Sequence, residues 1–386
     1  MRVLLVMTAR EVGGAELYVQ RLTRALAAQC DFTIVLPTHP RLEPLAQRLA
    51  KHAQVLRLAI EDQRRLPAVV NTVRALARRA DVVHLNSNHP GSRLGILFGF
   101  ALSHAGPPLT CVEHRVSPLD DIIVPRALRP FLPRLFRWSR RAAARVIAVS
   151  KQNAELLTSY YGLHPDKITI VHNGIDLPDF KESDIAQARA ALRAELGLPK
   201  QAVVILTLAR LAPNKGHRYL VEAMPQVLHM HPNIHFVFAG EHDQAEPVIA
   251  QINALGLGSH VHLLGFRSDT HHLLAASDFF VLPSLAEGFS LALVEALAAG
   301  LPTVATEVGG ASEVIQSGQG GILVPPADSA ALAAALKHLL SLNEAEIQRQ
   351  RRAARRAAQP FSTQAMAEKT LRVYSEVVCR STHAYA

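Results

Sequence analysis

The stretch ASDFFVLPSLAEGFSLALVEALAAGLPTVATEVGG, residues 276–310, carries the clearest indication of fold in this chain of 386 residues. It opens with a short apolar run that ends at Pro283, passes through a loop, and then shows the apolar spacing of a helix running to about Ala299. A second short run, Thr303–Ala305, follows. A strand, a helix and a strand in this order predict a crossover between parallel strands.

The same alternation extends in both directions along the chain. Several of the short runs are apolar on both faces, which is typical of parallel sheets covered by helices on each side. The fold class is therefore α/β. The predicted strands are Val3–Met7, Phe32–Leu36, Val55–Leu58, Val82–Leu85, Leu109–Val112, Val146–Val149, Ile168–Val171, Val203–Leu208, Phe236–Ala239, Val261–Leu264, Phe279–Leu282 and Thr303–Ala305.

A polar stretch from Asp176 to Lys200 interrupts this rhythm and indicates a domain boundary. We predict a first Rossmann-like domain over residues 1–178, a second over 179–361, and a C-terminal helix over 362–386 that crosses back to the first domain. Two doubly wound domains in sequence are expected to face a cleft lined by the carboxyl ends of their strands.

Composition excludes several classes of protein. Hydrophobic residues make up 49% of the chain and charged residues 19%, so it is neither disordered nor collagen-like. The 3 cysteines form no CxxC pair, which indicates a reducing compartment. No run reaches the ~18 apolar residues of a membrane-spanning helix, and the first residues fit a strand better than a signal peptide. We expect a cytoplasmic protein, with peripheral binding at the inner face of the cell membrane left open.

The net charge of +9 is unevenly distributed. Residues 1–150 hold 22 Lys and Arg against 10 Asp and Glu, whereas residues 151–386 hold 19 against 22. A basic first domain attracts nucleic acid, anionic lipid or a phosphorylated acceptor. Because no helix-turn-helix, zinc-finger or aromatic RNA-binding pattern accompanies the charge, we do not expect nucleic acid as a partner.

Two glutamates mark the 276–310 stretch as a candidate binding site. Glu287 stands near the helix start and Glu295 eight residues later, about two turns deeper on roughly the same face. This spacing lets one carboxylate meet each end of an elongated ligand, while the backbone N–H groups from Gly288 to Leu291 could bind a phosphate. The alternative is a capping Glu287 and a solvated Glu295.

Two cations follow the first strand of the second domain. Arg210 and Lys215, five residues apart in one loop, could hold a diphosphate and stabilise the negative charge that grows on it as a leaving group. Two solvated loop residues are the alternative.

The first domain offers two further candidates. Gly13-Gly14-Ala15-Glu16 lies between a strand and a helix, where adjacent glycines let the backbone approach a ligand. The run is neither a dinucleotide fingerprint nor a Walker loop, so NAD and ATP are disfavoured. His114 lies just after the strand Leu109–Val112, in the run CVEHR; a packing role is its alternative.

Together these motifs resemble the retaining glycosyltransferases of family 4 (group 1), which have the GT-B fold. Glu287 and Glu295 match the E-x7-E signature of that family, and Gly300–Thr306 and Val308–Ile315 match its following segments. Arg210 and Lys215 match its G-R-L…K-G motif, with Ala209 in place of the glycine. The opening GGAE, His114 and Phe266 match in order, and the resemblance covers roughly residues 1–325.

The resemblance implies transfer of a sugar from a nucleotide-sugar, with a UDP-sugar the favoured donor, to a glycan or lipid-linked acceptor in cell-surface polysaccharide or lipopolysaccharide synthesis. Glu295 would bind the ribose, Glu287 the sugar hydroxyls, and Arg210 and Lys215 the departing diphosphate. Catalytic roles would fall to Glu287, Arg210, Lys215 and His114. The implied donor-binding set is Gly13, Gly14, Arg210, Lys215, Phe266, Glu287, Gly288, Phe289, Ser290, Leu291 and Glu295.

No cofactor or metal is expected, since the chain has no D-x-D, no H-E-x-x-H and no Cys/His ligand spacing. Two alternatives remain open. One is a nucleotide-sugar epimerase or phosphorylase on the same fold, and the other is a non-catalytic nucleotide-sugar-binding subunit.

The segment from Pro125 to Arg145 interleaves arginines with Phe131, Leu135, Phe136 and Trp138. A basic amphipathic helix with an aromatic edge is typical of an interfacial membrane anchor. A surface helix that packs those side chains into its own domain is the alternative.

Overall fold

The computed structural model describes residues 1–9, 11–89, 92–116, 131–242, 244–315 and 320–384. The chain divides into two units, each built on its own parallel sheet. The first unit comprises Met1–Ile175 and Phe361–Ala386, and the second comprises Asp176–Pro360. The predicted α/β class with two parallel-sheet domains is confirmed.

The sheet of the first unit has 7 strands in the order β3-β2-β1-β4-β5-β6-β7. The central strands β1 and β4 are buried on both faces, as a sheet covered by helices on each side requires. The elements are β1 (Arg2–Met7), α1 (Gly14–Leu26), β2 (Asp31–Pro37), α2 (Glu43–Leu49), β3 (Gln54–Leu58), α3 (Leu66–Ala77), β4 (Val82–Ser87), α4 (Arg93–Ser103), β5 (Leu109–Glu113), α5 (Leu132–Arg140), β6 (Arg145–Ala148), α6 (Lys151–Ser159) and β7 (Ile168–Ile170).

The sheet of the second unit has 6 strands in the order β10-β9-β8-β11-β12-β13. The elements are α7 (Glu182–Glu195), β8 (Val203–Leu208), α8 (His217–Leu228), β9 (Ile234–Ala239), α9 (Glu246–Ala254), β10 (Val261–Gly265), α10 (Thr270–Ala276), β11 (Phe279–Leu282), α11 (Leu291–Ala298), β12 (Thr303–Thr306), α12 (Ala311–Val314), β13 (Gly321–Val324), α13 (Ser329–Leu340) and α14 (Glu344–Ala358).

The last helix, α15 (Thr363–Ala384), belongs to the first unit and packs against α1 and β4. Within the same unit, the backbone of Ile175 bridges to Ser362, just before this helix. The Tyr374 hydroxyl on α15 hydrogen-bonds Nδ1 of His84 on β4, and both side chains are fully buried. The first unit is thus assembled from both ends of the chain.

One local feature differs from the sequence-based expectation. Strand β13 was not among the predicted strands; it is a four-residue edge strand that pairs with β12 alone. Helix α11 begins at Leu291, so Gly288 and Phe289 lie in a loop before it, as the sequence predicts. In the described ranges no helix is long and apolar enough to cross a membrane.

Candidate active site

Lys215 and Glu287 form the centre of the candidate site in the second unit. Lys215 lies in the loop after β8 and Glu287 in the loop after β11. These strands are neighbours at the point where the strand order reverses, which is where ligands bind in open α/β sheets. The Lys215 ammonium donates to Glu287 Oε1 at 2.7 Å, with side-chain exposures of only 19% and 12%.

Ser284 completes this centre. Its hydroxyl donates to the same oxygen, Glu287 Oε1, at 2.8 Å. No described residue is recorded as a hydrogen-bond donor to the second oxygen, Oε2. The carboxylate is therefore held in one orientation by two donors, with one oxygen left to accept a hydrogen bond from a ligand.

Gly216 allows the two loops to meet. It has φ +67°, and a Cβ atom there would lie 1.9 Å from the carbonyl oxygen of Pro283. Beside it, the Leu285 N–H donates to the Asn214 carbonyl at 2.8 Å. A glycine directly after Lys215 is therefore what allows the ammonium to reach Glu287.

The loop after β12 supports Glu287 from the other side. Gly309 has φ +59°, and a Cβ there would lie 2.6 Å from the Glu287 carbonyl oxygen. The Gly310 N–H donates to the Gly288 carbonyl at 3.1 Å. The Val308-Gly309-Gly310 run that follows the E-x7-E stretch thus has a structural reason: only glycine permits this close approach.

Arg210 and Glu295 lie on the same elements as the central pair. Arg210 is exposed in the loop that carries Lys215, and Glu295 is half-buried on the second turn of α11. Both make contacts within the structure. Ala209, which replaces the glycine of the family motif, does not have a positive φ, so alanine fits there without strain.

The remaining predicted residues of the second unit are spread along the loops. Ser290 is the N-cap of α11, and its hydroxyl accepts a hydrogen bond from the N–H of Leu293. Phe289 is buried, whereas Phe266, after β10, is 73% exposed. Grouped His, Cys, Asp or Glu side chains that could hold a metal ion are not found in the part of the chain that the structure describes.

In the first unit, Gly13 and Gly14 are exposed at the start of α1. The Gly13 N–H donates to Glu16 Oε2 at 2.8 Å, so Glu16 caps the helix from its own first turn. Glu16 is only 1% exposed. Burial raises its pKa to about 7, against the opposing effect of the hydrogen bond from Gly13.

His114 directly follows β5 and is 7% exposed. Its Nε2 lies 2.8 Å from Oδ1 of Asn86, and the edge of its ring meets Tyr18 at a centroid distance of 4.9 Å. Burial, with a smaller contribution from nearby His84, lowers the pKa of His114 to about 3. The imidazole is therefore neutral near pH 7.

Sequence reasoning did not identify the side chains that orient these residues. Ser284 lies only three residues before Glu287 but belongs to no motif that marks it. Asn86 was missed because its contacts with Ala15 and His114 join residues distant in sequence, and no spacing rule signals such contacts. The neighbour of His114, Glu113, is fully buried and pairs with Arg140 at 2.8 Å, so it serves the interior of the unit.

Known proteins match most of the chain. Residues 12–178 match the family model described as Glycosyltransferase Family 4, and residues 188–359 match Glycosyl transferases group 1. D-inositol 3-phosphate glycosyltransferase 1 of Catenulispora acidiphila is 30% identical over 395 residues, covering 95% of this chain and 92% of that protein.

Two further proteins are similar over different lengths. UDP-Gal:alpha-D-GlcNAc-diphosphoundecaprenol alpha-1,3-galactosyltransferase of Escherichia coli is 29% identical over 252 residues, covering 63% of this chain and 62% of that protein. The structure of HepE of Anabaena in complex with UDP-glucose has TM-score 0.81 and 24% identity, covering 97% of this chain and 100% of that one. Because a relative with 30% identity aligns across nearly the whole chain and both family models match in order, this protein is a member of the group 1, family 4 glycosyltransferases with the GT-B fold.

Proposed function

We propose that this glycosyltransferase moves a sugar from a UDP-sugar to a glycan or lipid-linked acceptor, with retention of anomeric configuration. The contact between Lys215 and Glu287 carries the proposal, because it places a cation and an oriented carboxylate together at the carboxyl ends of two adjacent strands. A nucleotide-sugar contains a diphosphate, which a cation can bind, and sugar hydroxyls, which a carboxylate can bind.

In the proposed reaction, the bond between the anomeric carbon and the diphosphate oxygen breaks while Lys215 and Arg210 stabilise the charge on the leaving diphosphate. The acceptor hydroxyl oxygen bonds to the anomeric carbon on the face that the diphosphate leaves, and its proton passes to a diphosphate oxygen. Glu287 Oε2 accepts a hydrogen bond from a hydroxyl of the sugar, and the Glu295 carboxylate accepts hydrogen bonds from the ribose hydroxyls. The fixed charges of Arg210 and Lys215 take the part that a divalent cation has in other enzymes, so we propose metal-independent transfer.

The relatives support the donor and acceptor classes. HepE was solved in complexes with UDP and with UDP-glucose, which supports a UDP-sugar donor. The E. coli relative is named for an acceptor with a lipid-linked diphosphate, and the Catenulispora relative for an inositol phosphate. Both named acceptors are anionic. The net positive charge of the first 150 residues would attract an acceptor of this kind. Synthesis of a surface polysaccharide or lipopolysaccharide would use such an acceptor.

Replacing Lys215 by Ala tests the donor site. We expect turnover with UDP-glucose or UDP-galactose to fall by about 10²–10³, because the change removes one preorganised group that stabilises the leaving diphosphate. Lys200→Ala is the matched control, since Lys200 is an exposed lysine of the same unit outside the site. Turnover is measured as UDP release with and without a lipid-diphosphate acceptor. Unchanged turnover in Lys215→Ala would contradict the proposal.

We also propose that α5 binds an anionic membrane surface. Phe131 and Trp138 are 55% and 62% exposed, Leu135 is exposed beside them, and the helix also carries exposed arginines. The buried members of the segment, Phe136 and Arg140, face its own unit. Residues 125–130 of the predicted segment lie outside the described residues.

Vesicle sedimentation tests this surface. We expect binding to vesicles containing phosphatidylglycerol, weaker binding at higher salt because screening reduces the attraction of the arginines, and no binding to neutral phosphatidylcholine vesicles. Trp138→Ser should weaken binding, whereas Tyr160→Ser, at another exposed aromatic residue of the unit, should not. Equal binding of wild type and Trp138→Ser, or no binding at low salt, would refute the membrane proposal.

A further inference from the structure

Asn86 stands between the two parts of the first unit that the sequence analysis singled out. It is the fifth residue of β4, paired with Met7 of β1 on one side and Val112 of β5 on the other. Its Nδ2 lies 3.4 Å from the Ala15 carbonyl in the first turn of α1. Its Oδ1 lies 2.8 Å from Nε2 of His114. One carboxamide therefore links the glycine turn to the histidine.

These contacts fix the proton on the imidazole. The Ala15 carbonyl oxygen can only accept a hydrogen bond, so the amide nitrogen must face it and the amide oxygen must face His114. An amide oxygen can also only accept, so Nε2 of His114 carries the proton. In the neutral ring Nδ1 is then an unprotonated acceptor. It is buried, and no described residue donates to it.

We propose that Asn86 is a positioning residue: it holds His114 as the Nε2–H tautomer, so that Nδ1 is left to accept a hydrogen bond from a ligand hydroxyl. This inference rests on the proposed function and adds to it the residue that sets the tautomer of His114. A lone pair at Nδ1 attracts a hydroxyl and repels a phosphate oxygen.

The surroundings of His114 favour the neutral ring. Tyr18 contacts it from α1, His84 lies near it on β4, and the neighbouring Glu113 is already paired with Arg140 of α5. From α15, Tyr374 contacts His84. No free carboxylate among the described residues is recorded against the imidazole, so an ionised group introduced at position 86 would be the nearest negative charge.

Asn86→Asp is the informative variant. An ionised aspartate still accepts from Nε2 but cannot donate to the Ala15 carbonyl, and its charge raises the pKa of His114. A proton then occupies Nδ1 as the pH falls. We expect kcat to decrease about tenfold at the low end of the pH range and to recover as the pH rises, whereas the wild type lacks this dependence. Asn86→Leu removes both contacts and should lower kcat without a new pH dependence.

Asn153→Ala is the matched control. Asn153 donates Nδ2 to the backbone carbonyls of Glu113 and His114, both at 3.4 Å, and its recorded contacts include neither ring nitrogen. We expect this variant to lose stability while keeping the wild-type pH profile. A merely structural role for Asn86 would make Asn86→Asp behave in the same way, and that result would overturn the proposal.

Nitrogen NMR of the protein with ¹⁵N-labelled histidine gives a readout independent of activity, with His114→Gln assigning the resonances. We expect a proton on Nε2 and none on Nδ1 of His114 at pH 7. A protonated Nδ1 at that pH would overturn the inference. Absence of transfer from every nucleotide-sugar would instead contradict the proposed function, and the NMR result alone would then decide the role of Asn86.

Discussion

The buried carboxyl group of Glu16, at the start of α1, makes the stability of the folded protein depend on pH. It accepts a hydrogen bond from Gly13 at the start of α1, which favours its ionised form, yet burial outweighs this and brings its pKa to about 7. In the unfolded chain the same group has a pKa near ~4.3. Between these two values the folded protein holds a proton that the unfolded chain has released.

This difference sets the sign of a stability change. Because the pKa of Glu16 is raised in the folded state, its stabilising contribution is complete below the unfolded pKa and is lost as the pH rises through about 7. Relative to Glu16→Gln, we expect the wild type to lose about 2 kcal/mol of unfolding free energy between about pH 5.5 and 8. Urea unfolding of both proteins across this range measures it. A constant difference between them would show that Glu16 has an ordinary pKa.

At the same scale, some residues of the candidate site could be predicted from sequence and others could not. Lys215 and Glu287 are singled out by motifs that hold glycines and charges at fixed spacing. Ser284 stands close to Glu287 in sequence, but no motif assigns a role to its hydroxyl. The importance of Asn86 depends on His114, a partner that only folding brings near. The glycines Gly216 and Gly309 fall between these cases, since the motif contains them but only the backbone contacts explain them.

At the scale of elements, buried strands were the most predictable part. Runs such as β1 and β4 are apolar on both faces, so their identity does not depend on which face meets the core. Strand β13 was missed because its apolar run is short: only Gly321–Val324 pair with β12. A short apolar run cannot be assigned to a strand by periodicity alone.

The start of α11 was predictable, because a loop separates this helix from the preceding strand in the sequence. The helix begins at Leu291, where Ser290 adopts an extended conformation and caps it. The support of that loop was not predictable: Gly309 and Gly310, from the loop after β12, lie against the backbone of Glu287 and Gly288. Spacing within one element does not show a contact with another element.

At the scale of the whole molecule, the first unit depends on a helix that the chain reaches only after completing the second unit. Helix α15 buries Met366, Val373 and Val377 in the first unit. It also supplies the Tyr374 hydroxyl to His84 on the central strand β4. Correct folding of the sheet that carries His114 and Asn86 therefore requires residues from the far end of the sequence.

Tyr374→Phe measures this dependence without deleting the helix. The change keeps the buried ring but leaves Nδ1 of His84 without its partner, so we expect a loss of about 1–3 kcal/mol of unfolding free energy. Tyr219→Phe, in the second unit with its ring stacked under Arg218, is the matched control and should change stability by less than about 0.5 kcal/mol. Urea unfolding followed with and without UDP separates the units, because UDP stabilises only the unit that binds it. Since the proposed donor site lies in the second unit, Tyr374→Phe should keep the UDP-dependent stabilisation while the first unit unfolds at lower urea. If both units lost stability equally, or neither did, the role assigned to α15 would be wrong.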